Sequence, residues 1–520
     1  MSYSTSLPRH NEKDFSKGLF GKIQNKLTKK NSFNSDLLSV DLFCHITYMS
    51  SLATSGLSRS LLFDYATRLD LNSKRYFKEV HFMAKKLNYD YSEACRIVGS
   101  KTKEPEVKAL LLRMSGAMAS GENEAEFLAR EAFVMGEKYG DDYERRIESL
   151  KKWTDAFSAL ILSAALVVVI SVVSMLIFPT SPMMIALLTW IMLMSTALGA
   201  WIMYRSAPKE VKTHHYSNTS PLQTMAKKLF KFIILPTVAI ITIIGIVLKP
   251  DMGWIMVSLG TAVLPIGLLA YWDDRQIDKI DNDTASFIRA LGGISKAIGT
   301  TVTEALERLD LNSLGSLKKG VKKLISSLRF GIDPNLCWLK FVEDTGSEQV
   351  NRSVRIFWDG ITIGGDPGQV SNQSSMFSMK ISLLRGKRKM VSSGFSYLCL
   401  AMHATLAILL IGIYNVLLNF AGAVESMAGT AEEGMDALMQ LPTFAFFSQG
   451  SSQLDTLNLM VTAMLIMLTF VNAIAIKIVE GGNNMKFLFY LGITLLITGM
   501  SCLIVPNLID AVFGNIGFFQ

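Results

Sequence analysis

Cysteine is nearly missing from this chain. Five residues in 520 (Cys44, Cys95, Cys337, Cys399 and Cys502) show no CxxC or other ligand spacing. That excludes a disulfide-built secreted module and a cysteine metal centre, and suits reduced thiols in a cytoplasmic setting. Charge is thin as well: Asp, Glu, Lys and Arg make up 18%, against about 25% in an average soluble chain. Of six histidines, His214 and His215 are adjacent, so on a helix they diverge by about 100° and cannot chelate from one face. The nucleotide and hydrolase signatures are absent. Gly18-Leu19-Phe20-Gly21-Lys22 has two residues between its glycines and no Ser or Thr after the lysine, so it cannot cradle a phosphate as a P-loop does. No HExxH, GxSxG or GxGxxG occurs. The expectation is a non-enzyme without metal or cofactor.

What is abundant is oil, at 50% hydrophobic residues with 27 Met and 29 Phe, and it is kept apart from the charge. Residues 1–155 hold 25 Lys/Arg and 21 Asp/Glu, and residues 273–393 hold 18 and 14. Between and after them lie seven apolar stretches: 156–178, 183–204, 229–248, 253–272, 394–420, 454–476 and 487–509. Each approaches the roughly 20 residues that a helix needs to cross about 30 Å of hydrocarbon. Inside them, Lys231 and Asp455 lie near the ends, where they can reach the interface, and His403 lies deeper. Its expected role is a packed, hydrogen-bonded histidine. So few intramembrane charges argue against an ion-coupled transporter.

Loop charge sets the expected orientation. Loop 205–228 carries Arg205, Lys209, Lys212, Lys227 and Lys228, whereas 421–453 carries only acids (Glu425, Glu432, Glu433 and Asp436). The positive-inside rule then places the N terminus in the cytoplasm and the C terminus outside a cell membrane. Residues 1–40 have no apolar core of a signal peptide. Within them, Leu19, Phe20, Ile23 and Leu27 share a helical face ringed by lysines, a pattern for a basic interfacial helix as much as for a disordered tail.

Both polar blocks read as all-α. Phe43, Ile46 and Leu52, then Leu57, Leu61, Leu62 and Tyr65, keep helical spacing, as do Leu314, Leu317, Val321, Leu324, Ile325 and Leu328. The blocks also resemble each other. Arg68-Leu69-Asp70-Leu71-Asn72-Ser73 recurs as residues 308–313, 240 positions on, and Gly121-Glu122 is matched by Gly365-Asp366 at 244. Two ordered matches at nearly one offset point to a duplicated helical domain, each copy running into the membrane. The expected layout is a basic flexible segment (1–36), a first helical-bundle domain (37–155), four spans (156–272), a second domain (273–393), and three spans around an acidic external loop (394–520).

Two basic clusters stand out. Lys318, Lys319, Lys322 and Lys323 form a patch fit for an acidic partner or for solvent, and Arg385, Lys387, Arg388 and Lys389 lie beside a span, where lipid head groups are the first expectation. Glu122 and Asp366 read as helix caps or packing acids before a divalent-ion site. The basic excess faces the cytoplasm and gives no support to nucleic-acid binding.

This ordering resembles the inner-membrane platform proteins of the type II secretion F / PilC family. The resemblance is carried by the duplicated helical domain, by Gly121-Glu122 about thirty residues before Trp153, and by Gly365-Asp366 in the second copy. The turn Glu480-Gly481-Gly482, with Asn472 upstream and one last apolar helix after it, looks like the archaeal branch, the platforms of archaella (FlaJ-like) and archaeal type IV pili. So do seven spans, since bacterial pilus members usually have three or four. The resemblance covers roughly 40–515. It implies a filament assembly platform that anchors a cytoplasmic hexameric secretion ATPase and couples its motion to insertion of pilin- or archaellin-like subunits. It also implies a homo-oligomer, with a dimer favoured. A permease and a membrane-anchored signalling scaffold are the alternatives.

Overall fold

A computed structural model describes residues 37–174, 182–213, 221–248, 250–430 and 451–515. It is built from helices; among the described residues the only strand-like pairing is an isolated bridge between Thr213 and Ser347. The basic segment 17–31, the His214-His215 pair, the end of the first expected span and most of the acidic loop lie outside these residues.

The first helical region holds α1 (Leu38–Ala53), α2 (Arg59–Ala66), α3 (Lys74–Lys86), α4 (Tyr91–Lys101) and α5 (Pro105–Ser120), and ends in the 51-residue α6 (Glu124–Ser174). After α7 (Pro182–Ser206), α8 (Pro221–Leu229), a π turn (Phe230–Ile234) and α9 (Leu235–Leu248) comes the 47-residue α10 (Met252–Ile298). The second region continues with α11 (Val302–Glu307), α12 (Lys318–Arg329), α13 (Pro334–Thr345) and α14 (Glu348–Thr362), and then α15 (Pro367–Thr430). Two further helices, α16 (Ser451–Glu480) and α17 (Phe487–Asn515), complete the described chain.

The π turn has a local cause. Pro236, just beyond it, has no N–H to give and its ring crowds the carbonyl four residues back, so the helix widens there.

The two regions repeat one order of caps and turns at a constant offset of 243 residues. Gly56 and Gly299 end α1 and α10 at positive φ, and Ser58 and Thr301 precede α2 and α11. Asn88 and Gly331, both left-handed, form the tips before α4 and α13. Asp90 and Asp333 then cap those helices, each accepting from the N–H two residues on, at 2.9 and 2.8 Å. Gly121 and Gly364 are again left-handed. The hexapeptide departs from the offset because α11 is shorter than α2, and a 3-10 turn (Gly315–Leu317) restores it before α12.

At the next step the expected match shifts by one residue. Asn123 Oδ1 accepts from Ala125 N at 3.0 Å, and Asp366 Oδ1 accepts from Gly368 N at 2.7 Å. The partner of Asp366 is therefore Asn123, the side chain that caps α6, and Glu122 instead pairs with Arg130. Asp366 also meets Lys296 at 3.3 Å. The N–H groups and this cation together hold its carboxyl below the usual range despite burial.

The cores of the two regions differ. The second is closed by its own residues, among them Phe287, Ile288, Leu306, Val321, Trp338 and Phe357. The first gathers round α1, buried on nearly every side, and includes Ile356, Phe377 and Ile381 from the second. Phe43 meets Phe377 with ring centres 4.9 Å apart. Buried Arg352 bridges Asp41 at 2.8 Å and Glu348 at 2.9 Å, and Tyr48 donates to Asp359 at 2.9 Å.

Among the described residues six helices are long and apolar enough to cross a membrane, making this an all-α multi-pass membrane protein. They contain the last six of the seven expected stretches; the first, 156–178, is helical to Ser174 and then leaves the described residues. The tightest packing in this part joins α10 to α17. Gly253, Gly260 and Gly267, seven apart on α10, face Gly492 and Gly499, seven apart on α17. A Cβ on Gly267 would lie 2.2 Å from the Phe489 backbone nitrogen, so only glycine lets these backbones meet. Nearby, His403 Nε2 lies 2.9 Å from Thr498 Oγ1, and Asn472 Nδ2 lies 3.1 Å from its Nδ1. The membrane histidine is packed and hydrogen-bonded, as expected.

Candidate functional site: a buried charge lattice where helices leave the membrane

Just past the apolar part of α10, which ends at Trp272, its polar continuation places Asp274, Asp278 and Asp281 four and three residues apart. That spacing puts them on one helical face. Three other parts of the chain bring cations to this face.

Lys212, in the segment after α7, lies 2.9 Å from Asp274 and 2.5 Å from Asp278. Lys486, from the turn between α16 and α17, lies 2.7 Å from Asp274 and 2.5 Å from Glu480. Arg385 on α15 meets Asp281 at 2.6 Å and Glu210 at 3.2 Å, and also donates to Gln349 at 3.1 Å.

Arg388, one helical turn beyond Arg385, closes the arrangement. It donates to the carbonyls of Val479 and Ile478 at 3.0 Å each, to Pro208 O at 2.9 Å, and approaches Glu210 at 3.4 Å. It thus satisfies the last carbonyls of α16, where a cation also opposes the helix dipole. Gly481 and Gly482 follow at φ 74° and 75°. A Cβ on Gly481 would press on the Arg388 guanidinium, and one on Gly482 would reach Asp274 Oδ1 at 2.5 Å. The Gly-Gly turn is therefore shaped by the lattice it closes on.

Five acids (Glu210, Asp274, Asp278, Asp281 and Glu480) meet five bases (Lys212, Arg385, Arg388, Lys389 and Lys486) round a polar cavity of about 70 Å³. Opposed charges at hydrogen-bond range offset the cost of burial that an unpaired ion would carry. Burial pushes the Glu210 carboxyl up, but Arg385, Arg388 and Lys212 outweigh it and leave the group below its ordinary value. Lys212 is likewise held above its ordinary value by Asp274 and Asp278 against burial. Asp281 goes the other way, its carboxyl pushed up to about 6 by burial against the pull of Arg385. The lattice ties the segment after α7 to α10, α14, α15 and α16. No group of three or more metal-binding side chains occurs among the described residues.

The sequence-derived residues fall in several places. Arg385 and Arg388 point inward to the lattice, where lipid cannot reach them. Lys389 joins the rim of the lattice at Asp278, 3.1 Å away, and Lys387 points away from it to Glu144 at 2.5 Å. Lys318 reaches Asn312 at 2.8 Å, Lys323 pairs with Asp344, and Lys319 and Lys322 stand exposed. Glu480, Gly481 and Gly482 belong to the lattice. Gly121, Glu122, Gly365 and Asp366 lie apart from it, at the entries to α6 and α15. Glu210, Lys212, Asp274, Asp278, Asp281 and Lys486 were not singled out from sequence, although the one-face spacing of the three aspartates on a helix leaving the membrane was a readable signal.

Comparison with known proteins agrees with the resemblance to the archaeal branch. The chain is 24% identical over 449 residues to flagella accessory protein J of Methanocaldococcus jannaschii, covering 84% of this chain and 78% of the relative. It is 22% identical over 420 residues to the protein of that name from Methanococcus voltae, covering 78% and 73%. No family model and no solved structure matches.

Proposed function

We propose that this chain, similar over most of its length to the flagella accessory J proteins, is the membrane platform of an archaeal type IV filament machine, the archaellum in the first place. It sits in the cell membrane with its N terminus inside and its C terminus outside. Its two helical regions are copies of one domain that hold a cytoplasmic hexameric secretion ATPase beneath the membrane. Its spans pass pilin- or archaellin-like subunits to the filament base, and the working form is a homo-oligomer, a dimer.

The observation that carries this reading is the continuity of α10 and α15 from apolar span to polar region, locked by the charge lattice to the last turn between spans. A displacement imposed on the second region cannot be absorbed in a loop there and has to reach the membrane helices. Docking falls to the exposed basic face of α12, where Lys319 and Lys322 are available to an acidic partner. Reversing both charges lowers affinity for the purified secretion ATPase of the same organism about tenfold or more, as read by co-purification and titration. Unchanged binding would sink the reading.

A further inference from the structure

The cluster expected to meet lipid turned out to be half internal, and the membrane-facing cations lie elsewhere. A cleft of about 590 Å³ opens between the start of α1, the start of α5, α6 and the end of α7. Arg145, Arg146, Arg205 and Lys209 line it. Arg145 is tied to Asp142. Arg146 is exposed and makes no ion pair among the described residues, and Arg205 has only the ring of Trp201, at 5.7 Å. Of the acids on the opposite wall, Glu104 and Glu106, the second is paired with Lys138 at 3.3 Å. The cleft therefore keeps a positive excess on the side of α6 and α7.

Its height is fixed by the two helices that form that side. Arg205 is the next-to-last residue of the α7 span. Trp201 and Tyr204 are exposed beside it, and Trp153 is exposed where α6 turns apolar; such aromatics mark the level of the head groups. Arg146 precedes Trp153 by two helical turns, about 10 Å along the axis. A head-group layer of roughly 5–8 Å and a long arginine side chain bridge that gap. Directly below, Leu162 and Leu166 of α6 and Leu198 of α7 are exposed, an apolar wall with no protein against it in the described chain.

We infer that this cleft is a binding site for one anionic bilayer lipid, its phosphodiester held between Arg146 and Arg205 and its chains lying on the α6–α7 wall. The basic stem explains selection for negative head groups, and the apolar wall explains why a lipid is held in place of a free anion. The inference stands apart from the platform reading, since it needs no protein partner.

The test uses the purified full-length chain in detergent, titrated separately with phosphatidylglycerol, phosphatidylcholine and inorganic phosphate and read by native mass spectrometry. The wild type is expected to bind phosphatidylglycerol about tenfold more tightly than phosphatidylcholine and not to exchange it for millimolar phosphate. The double variant Arg146→Gln/Arg205→Gln loses that preference. Lys319→Gln/Lys322→Gln keeps it, and Arg146→Lys/Arg205→Lys keeps part of it. An unchanged thermal midpoint shows that the exposed substitutions leave the fold intact; should the double variant fail to fold, the single Arg146→Gln is read in its place. Equal affinity for the two lipids, displacement by phosphate alone, or an unchanged preference in the Gln variants overturns the inference.

Discussion

The two helical regions share their order of caps and turns but not their independence. The second closes a core from its own residues and enters the membrane through both α10 and α15. The first has one such helix, α6, and completes its core with Ile356, Phe377 and Ile381 of its neighbour. Similar helices at one constant offset can thus give one self-sufficient body and one that leans. What differs is where the first helix goes: α10 arrives from the membrane, already held, whereas α1 is held only by being surrounded.

Removing Arg352 should show this most strongly. Arg352→Ala strands buried Asp41 without its cation, at a cost of about 3–5 kcal/mol. Hydrogen exchange should quicken through α1 to α5 while α11 to α13 stay protected; equal loosening of both regions would contradict the comparison. Phe377→Ala comes next, at about 3 kcal/mol. Although the residue lies on α15, protection should be lost in α1, whose Phe43 it packs against.

A third effect, nil at neutral pH, distinguishes the regions as the pH falls. His45 is buried, stacked on Phe77 at 4.0 Å and within 2.9 Å of Ser73 Oγ, and burial pushes its pKa down to about 3. The folded state therefore takes up its proton far later than the unfolded chain, which does so near 6.5. No penalty arises above that pH, and between about 6.5 and 3 stability falls by up to about 1.4 kcal/mol per pH unit. The second region has Ile288 at the matching place. His45→Ile should flatten the acid limb of the first region's unfolding curve, and an unaltered slope would remove His45 as its cause. Smallest of all is Gly331→Asn, which copies Asn88 into the other tip. A side chain there meets open space and asparagine tolerates the left-handed backbone, so the thermal midpoint should move by less than about 1 kcal/mol equivalent.

Much of this architecture was legible in the sequence because it is written in periodicity and repetition. The apolar stretches marked the spans, whereas the hexapeptide, at an offset of 240, does not share the 243 of the caps and turns. The Gly-Glu match was misaligned by one residue because side-chain capping, not the order of letters, sets the register: Asn123 and Asp366 do the same work. The lattice was hidden for another reason. Its partners lie in four separate stretches, and Lys212 reads as one more positive charge in a basic loop until folding places it on Asp274. Even so, Arg385, Arg388 and Lys389 stand three and four apart on one helical face while Lys387 takes the other side, so the division of that cluster was present in its spacing. The glycines of α10 and α17 recur every seventh residue and were equally readable.

The length of α10 has a consequence of its own. Forty-seven helical residues, with Pro265 inside the apolar part, extend about 70 Å, and the lattice grips them just beyond that part. Under the platform function proposed above, such a rod would act as a lever with its fulcrum at Asp274–Asp281. A tilt of about 10° carries one end of a 70 Å rod about 12 Å relative to the other. The glycine seam lies wholly on the membrane arm, so a tilt of that arm is passed directly to α17.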